Sequence, residues 1–116
     1  MALGASQDDG EELDLEDGEV LIRKGKANHF VGSISDGGRL RLTSRRLVFR
    51  AHRVNLARVS GSIAVADVVD FVTGRAPTDL TLVLTDGTAE RFALWHRRHW
   101  IADIKAAAEE ARGYRA

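Results

Sequence analysis

The 116-residue chain is 44% hydrophobic and 29% charged, which is typical of one globular domain and leaves no room for a second core. It has no cysteine, so disulfides, thiol catalysis and cysteine-bound zinc are excluded, and no apolar run approaches the ~20 residues of a transmembrane helix. The net charge of zero conceals an asymmetry: residues 1–19 carry eight acids and no Lys or Arg, whereas the remainder carries 17 bases and 9 acids, hence +8.

The N-terminal segment is predicted to be a disordered acidic arm over residues 1–17, because Gly, Ser and acidic residues dominate without a sustained hydrophobic period. An acidic start is unlike a signal peptide, so we expect a cytoplasmic protein. An acidic arm ahead of a basic domain indicates either an anionic partner or an arm that covers the basic face. The alternative is a solvating tail on a domain whose charges keep it in solution.

The first strand is predicted to open at residues 20–22 and to continue into Arg23, Lys24 and Lys26. Residues 35–38, Ser-Asp-Gly-Gly, predict a turn, since these residue types favour turn geometry. Gly37-Gly38 precedes a strand rather than a helix, so it is interpreted as part of that turn and not as a phosphate-binding loop.

Residues 39–43 and 46–51 form the clearest predicted hairpin, because apolar and polar residues alternate on both sides of Ser44-Arg45. A two-residue connection there places Leu42 opposite Leu47 and Leu40 opposite Phe49, and all four of these side chains face inward. Four arginines then face outward, Arg39, Arg41, Arg46 and Arg50, with Arg39 opposite Arg50. A slip of one residue would bury these arginines, which desolvation forbids.

Further strands are predicted at 62–66, where Asp67 ends the strand, and at 68–72, 80–85 and 90–94. Between the last two, a three-residue loop with Gly87 left-handed sets Leu80 opposite Phe92 on one apolar face.

A helix is predicted over residues 97–112, with Gly113 as its C-terminal cap and 113–116 as a short tail. Its apolar stripe must pack on the strands and comprises Trp100, Ile101, Ile104, Ala108 and Ala111. The predicted fold is therefore mainly β, a bent antiparallel barrel or sandwich of about seven strands capped by one C-terminal helix.

These residues resemble the GRAM family, bacterial single-domain members especially, over nearly the whole stretch from Glu19 to about Ala111. The most specific piece is Leu-x-Leu-Thr-x-x-Arg-Leu-x-Phe at 40–49. The other matching residues are Ala27, Asn28, His29, Gly37, Gly38, His52, Asn55, Ile63, Asp67, Val68, Asp86, Gly87, Phe92, Trp100, Ile101 and Ile104. The resemblance implies a pleckstrin-homology-like domain over residues 18–112, no catalysis or cofactor, and binding of anionic lipid headgroups or of protein partners.

Two sets of polar residues are candidate sites. A basic set on the first strand and the central hairpin is interpreted as a surface for anions, Lys24, Lys26, Arg39, Arg41, Arg46 and Arg50. Its alternative is a solvated face neutralised by acids elsewhere. A polar set that belongs to the family resemblance comprises Asn28, His29, His52 and Asn55, and a network that fixes loop ends is favoured over a ligand site.

Two features of the last strand and the helix have alternative interpretations. The spacing of His96, His99 and Asp103 can place three metal ligands on one helix face, but a helix start is the better account, so no metal site is assigned. Trp100 is interpreted as a core residue, whereas Trp95 breaks the inward parity of its strand.

Enzyme chemistry has little support, because no nucleophile motif or paired carboxylates occur and no Gly-rich loop leads into a helix. The function predicted is a non-catalytic module that docks on the inner membrane face through the basic hairpin. The alternative is a protein-interaction or self-assembling domain with no lipid role, in which a strand edge or Val48, Val83 and Trp95 form the contacts. Nucleic acid is not expected, since no stacking aromatics interleave with the bases.

Overall fold

The computed structural model describes residues 13–51 and 61–115, without the side chains of 114 and 115. This part of the chain folds into seven strands, a 3-10 turn (Val65–Asp67) and one helix. The strands are β1 (Leu21–Val31), β2 (Ile34–Thr43), β3 (Arg46–Ala51), β4 (Gly61–Ala64), β5 (Val68–Thr73), β6 (Asp79–Leu84) and β7 (Ala89–Leu94), and the helix is α1 (Arg97–Arg115).

The strands form a single antiparallel sheet in the order β4-β3-β2-β1-β7-β6-β5. The sheet does not close: β4 and β5 are its two edges, and the 3-10 turn joins them. Helix α1 packs chiefly against that turn and buries Trp100 and Ile104 within the core. A single amphipathic helix thus covers one open side of the bent sheet, as its apolar stripe predicted.

Both predicted hairpin registers are confirmed. Leu40 lies opposite Phe49 and Leu42 opposite Leu47, and all four are buried. Leu80 lies opposite Phe92 across β6 and β7. Gly87 in the connecting loop has a φ of 88°, the left-handed conformation that glycine adopts without steric cost. Burial of alternate apolar residues therefore fixed these registers.

The turn predicted at residues 35–38 was wrong. These residues lie within β2, paired with β1, and the chain reverses instead at Gly32-Ser33, where Gly32 has a φ of 61°. Gly38 is present for another reason: a Cβ on it would collide with the carbonyl oxygen of Arg50 on β3. The glycine permits close strand approach rather than a turn.

Two predicted element ends were also wrong. The strand predicted at 62–66 ends at Ala64, because Val65 begins the 3-10 turn. Helix α1 continues through Gly113 to Arg115, so Gly113 is not its C-terminal cap. No helix of the described residues is long and apolar enough to cross a membrane.

Candidate functional site

The outer face of the β2–β3 hairpin is not the open basic surface that the sequence predicts. Arg41 is only 5% exposed, so the prediction that it faces solvent was wrong. Val48, its neighbour across the hairpin, is also buried, which removes it as a surface contact. Arg46 is half-buried and donates from Nε to a carboxylate of the same chain, Glu19, at 2.8 Å.

The carboxylate of Glu19 lies at the centre of a polar cluster, here called the Glu19 clasp, formed by residues 14–19 around Arg45 and Arg46. Its side chain is buried and accepts hydrogen bonds from Thr43 Oγ1 at 2.5 Å, from Arg46 and from the Glu16 backbone N–H. Hydrogen bonding by Arg46, joined by Thr43 and Glu16, lowers the pKa of Glu19 to about 2 against the raising effect of burial. The carboxylate is therefore ionised throughout the physiological range.

The rest of the clasp binds the hairpin turn from outside. Arg45 donates to the Glu16 carboxylate at 2.9 Å and to the Asp17 carbonyl at 2.7 Å, and Arg46 donates to the Asp14 carbonyl at 2.8 Å. Gly18, between these residues, has a φ of 79°. The last residues of the acidic arm thus contact the tip of the basic hairpin, where two of its arginines are neutralised.

Three other bases lie side by side across the outer face of the sheet. Lys26 on β1 is directly opposite Arg39 on β2, which in turn is opposite Arg50 on β3, as predicted for the two arginines. We call this set the Lys26 row. Lys26 is exposed and both arginines are half-buried, while Lys24 is exposed beside them on β1.

A groove adjoins the Lys26 row and is lined by Lys26, Asn28, Gly37, Gly38, Thr78, Ala93 and Trp95, among others. Its volume is about 380 Å³, and we call it the Trp95 groove. Trp95 is 70% exposed, the highest value among the exposed large hydrophobic side chains of the described residues. Lys26 belongs to both features, so the row and the groove form one continuous surface.

The start of helix α1 extends this surface beyond Trp95. Arg97 is half-buried and donates to the backbone carbonyls of Ala76 and Asp79, which fixes the β5–β6 loop. Arg98, His96 and His99 are exposed and line a second concavity, together with Arg97 and Pro77. The first helical turn has no acidic residue, so positive charge gathers at this corner.

Of the three residues at metal-ligand spacing, His96 and His99 stack with their ring centroids 6.1 Å apart, whereas Asp103 is paired elsewhere. Asp103 accepts a hydrogen bond from Arg23 Nε at 2.6 Å, and Arg23 lies over the ring of Trp100. Within residues 13–51 and 61–115, no group of three or more His, Cys, Asp and Glu side chains could hold a metal ion.

The polar set of the family resemblance is divided by the pleat of β1. Asn28 is exposed in the Trp95 groove, whereas His29 is buried on the other face and hydrogen-bonded to Glu90. His52 and Asn55 lie outside the described residues. Asn28 and His29 therefore do not act at one site, because neighbouring residues of a strand point to opposite faces.

Sequence reasoning missed two features of this surface. Glu19 was counted only among the acids that precede the basic residues, and nothing in its local sequence indicates that it binds Thr43 and Arg46. Trp95 gave a signal because it breaks the inward parity of its strand, whereas His96 and His99 were considered only as metal ligands with Asp103 or as part of a helix start.

The described chain resembles several solved structures. The C-terminal domain of an unknown protein from Leishmania infantum matches with a TM-score of 0.66 at 16% identity, covering 79% of this chain and 86% of that one. The DH/PH domain of human ARHGEF11, in a ternary complex with human RhoA and its inhibitor, matches with a TM-score of 0.67 at 10% identity, covering 79% of this chain. The linker-DH/PH fragment of p115-RhoGEF, truncated at its N-terminus, matches with a TM-score of 0.66 at 11% identity, covering 80%.

The chain spans about 30% of the length of the two DH/PH structures. No family model matches this chain, and no curated protein matches it. At these identities the likeness shows the fold alone: this is a pleckstrin-homology-like fold, mainly β, with seven antiparallel strands and one C-terminal helix. Folds of this type often serve as lipid- or protein-binding modules, and function has to be argued from the surface itself.

Proposed function

We propose that this protein is a non-catalytic binding module of the GRAM type that docks peripherally on anionic lipid headgroups, at the inner face of a membrane. The observation that carries the proposal is the Lys26 row of three adjacent bases beside the exposed Trp95. Lys24 adds a fourth base on the same face of β1.

The charge arrangement supports an anionic surface as the partner. Each base held close to an anionic membrane contributes about 1 kcal/mol of binding free energy. Arg41 and Arg46 are assigned no direct role, because the first is buried and the second binds Glu19.

Trp95 supplies the second element of a membrane-docking surface. Tryptophan has an apolar ring with one polar N–H, and it concentrates at the interface between headgroups and acyl chains. A ring that is 70% exposed at the rim of a groove is well placed to insert there while Lys26 contacts the headgroups. Arg98, which is exposed at the start of helix α1, adds a further base close to Trp95 in the chain.

We expect the full chain to co-sediment with phosphatidylserine-containing vesicles and not with pure phosphatidylcholine vesicles. Lys26→Glu combined with Arg50→Glu should lower the vesicle-bound partition coefficient at least tenfold, since two attractive charges become repulsive. Trp95→Ala should lower it about threefold or more without altering its salt dependence. The measurement is co-sedimentation at low and physiological salt.

The matched control is Lys105→Glu, which makes the same type of charge reversal at an exposed position of helix α1. It should retain most of the binding. A chain lacking residues 1–12 is tested alongside, so that competition by those acids cannot hide the surface. The proposal would be refuted if neither the full chain nor the chain lacking residues 1–12, each folded, bound anionic vesicles. It would also be refuted if the double variant Lys26→Glu with Arg50→Glu lost no more binding than Lys105→Glu.

A second candidate function is self-association through strand β5. This strand is an edge of the sheet and exposes Val69 and Val72, each 52% accessible. Edge strands with apolar residues readily pair with other strands unless they are protected. If this function is correct, sedimentation equilibrium will give a dimer whose dissociation constant rises at least tenfold in Val72→Lys. A monomer at all concentrations reached would eliminate it.

A further inference from the structure

A second cavity lies between strands β1–β4 and β7, separate from the Trp95 groove, and two of its lining residues, Gly61 and Ser62, are exposed. It has a volume of about 150 Å³. Its lining is chiefly apolar and aromatic but includes three polar side chains, those of His29, Ser62 and Glu90. The other lining residues are Leu40, Leu47, Phe49, Gly61, Ile63 and Phe92. The proposed membrane surface uses none of these residues.

His29 is the polar residue whose hydrogen bonding is incomplete in this cavity. It is only 7% exposed, with its ring stacked on Phe92 at a centroid distance of 4.7 Å and tilted against Phe49 at 5.4 Å. Nε2 lies 2.7 Å from Glu90 Oε1, whereas Nδ1 is buried and has no hydrogen-bond partner among the described residues. A buried polar atom without a hydrogen-bond partner destabilises the folded protein unless a bound group supplies that partner.

The hydrogen bond to Glu90 determines which chemical group can form a hydrogen bond with Nδ1 of His29. An ionised carboxylate only accepts hydrogen bonds, so Nε2 carries the hydrogen, and Nδ1 of the neutral ring is then an acceptor. A hydroxyl donates to that acceptor, and it can also accept from Nδ1–H when the ring is charged. A second carboxylate or a phosphate would meet Glu90 and is disfavoured.

The size and lining of the cavity further limit the classes of ligand that can bind in it. A cavity of about 150 Å³ lined by Leu, Ile and Phe is large enough to bind benzene. Phe49, Phe92 and His29 pack against one another and all three line the cavity, so a further ring can join this aromatic cluster, which favours an aromatic over an aliphatic occupant. We infer that this cavity is a binding site for a single-ring aromatic alcohol, with the hydroxyl on His29 Nδ1 and the ring against Phe49 and Phe92.

Phenol and toluene are suitable probes, because they are nearly isosteric and differ in the hydroxyl. We expect the full chain to bind phenol, as measured by titration calorimetry, and His29→Phe to lower the ratio of phenol to toluene affinity about fivefold, the equivalent of one hydrogen bond. Ile63→Trp should abolish binding of both probes by filling the cavity. Asn28→Ala, on the opposite face of β1, should leave the ratio unchanged.

A second measurement on the unaltered protein keeps the test decisive if His29→Phe does not fold. Phenol should shift the ¹⁵N resonance of His29 Nδ1, and toluene should not. An unchanged affinity ratio in a folded His29→Phe, no Nδ1 shift, or no binding of either probe at millimolar concentration would overturn the inference. The last result would mean that the cavity holds water only. Vesicle binding does not enter this test, so it stands or fails independently of the proposed function.

Discussion

Replacing Gly38 with alanine is expected to lower the free energy of unfolding by about 3 kcal/mol. The added Cβ would collide with the carbonyl oxygen of Arg50 and lie 2.8 Å from Ala51 Cα, a separation that real Cβ atoms essentially never show. Both neighbours are backbone atoms of β3, so relief requires the paired strands to separate where Gly38 faces Ala51. A flexible side chain could rotate away, whereas a strand backbone cannot.

Gly61→Ala is the matched control, because a Cβ there meets nothing within 4 Å. It should change stability by less than about 0.5 kcal/mol, as surface substitutions usually do. Urea denaturation followed by circular dichroism measures both variants. If Gly38→Ala is as stable as Gly61→Ala, the close approach of β2 and β3 is not required by the fold.

Replacing Glu19 with glutamine should lower the free energy of unfolding by up to about 3 kcal/mol at neutral pH. This figure is the free-energy equivalent of the shift in the pKa of Glu19 from 4.5 to about 2. The carboxylate accepts hydrogen bonds from Thr43, Arg46 and the Glu16 backbone, and an amide cannot reproduce that charged arrangement. Arg46 would then keep a half-buried positive charge without the negative charge of Glu19 beside it.

The direction of the pKa shift of Glu19 determines how the stability of the protein depends on pH. The pKa of Glu19 is lower in the folded protein than in the unfolded chain, so its contribution is fully present above about pH 4.5 and is lost as the pH falls toward 2. The stability difference between the unaltered protein and Glu19→Gln should shrink over that window.

Glu16→Gln serves as the comparison for Glu19→Gln, since Glu16 forms an exposed ion pair with Arg45. This substitution should lower the free energy of unfolding by less than about 1 kcal/mol. Chemical denaturation across the pH range measures each variant. Equal costs for the two substitutions, or a Glu19→Gln effect independent of pH below 4.5, would contradict the role of Glu19.

The central hairpin illustrates how far the sequence leads toward a functional site. Its register was predictable because a slip would bury charge and expose leucine. The roles of its arginines were not, since alternation assigns a residue to a face without saying what else covers that face. Arg41 is on the predicted face and is nonetheless buried, and Arg46 finds its anion in Glu19, 27 positions away in the chain.

The pair Thr43 and Arg46 belongs to the motif on which the GRAM resemblance chiefly depends, and both side chains bind Glu19. That part of the motif therefore serves the fold, because it fastens the entry to β1 onto the β2–β3 turn. The bases that we propose to bind anions, Lys26, Arg39 and Arg50, lie outside the contacts of that pair.

The acidic arm, the basic domain, the inward leucines and the amphipathic helix follow from the sequence alone, because composition and hydrophobic period are local properties. Tertiary structure decided the charge distribution that a partner would meet. It placed the carboxylate of Glu19 against Arg46, set Lys26 beside the Arg39–Arg50 pair that the hairpin predicts, and put Trp95 at the margin of that row. These pairings join residues far apart in the chain, and only the packing of the folded sheet brings them together.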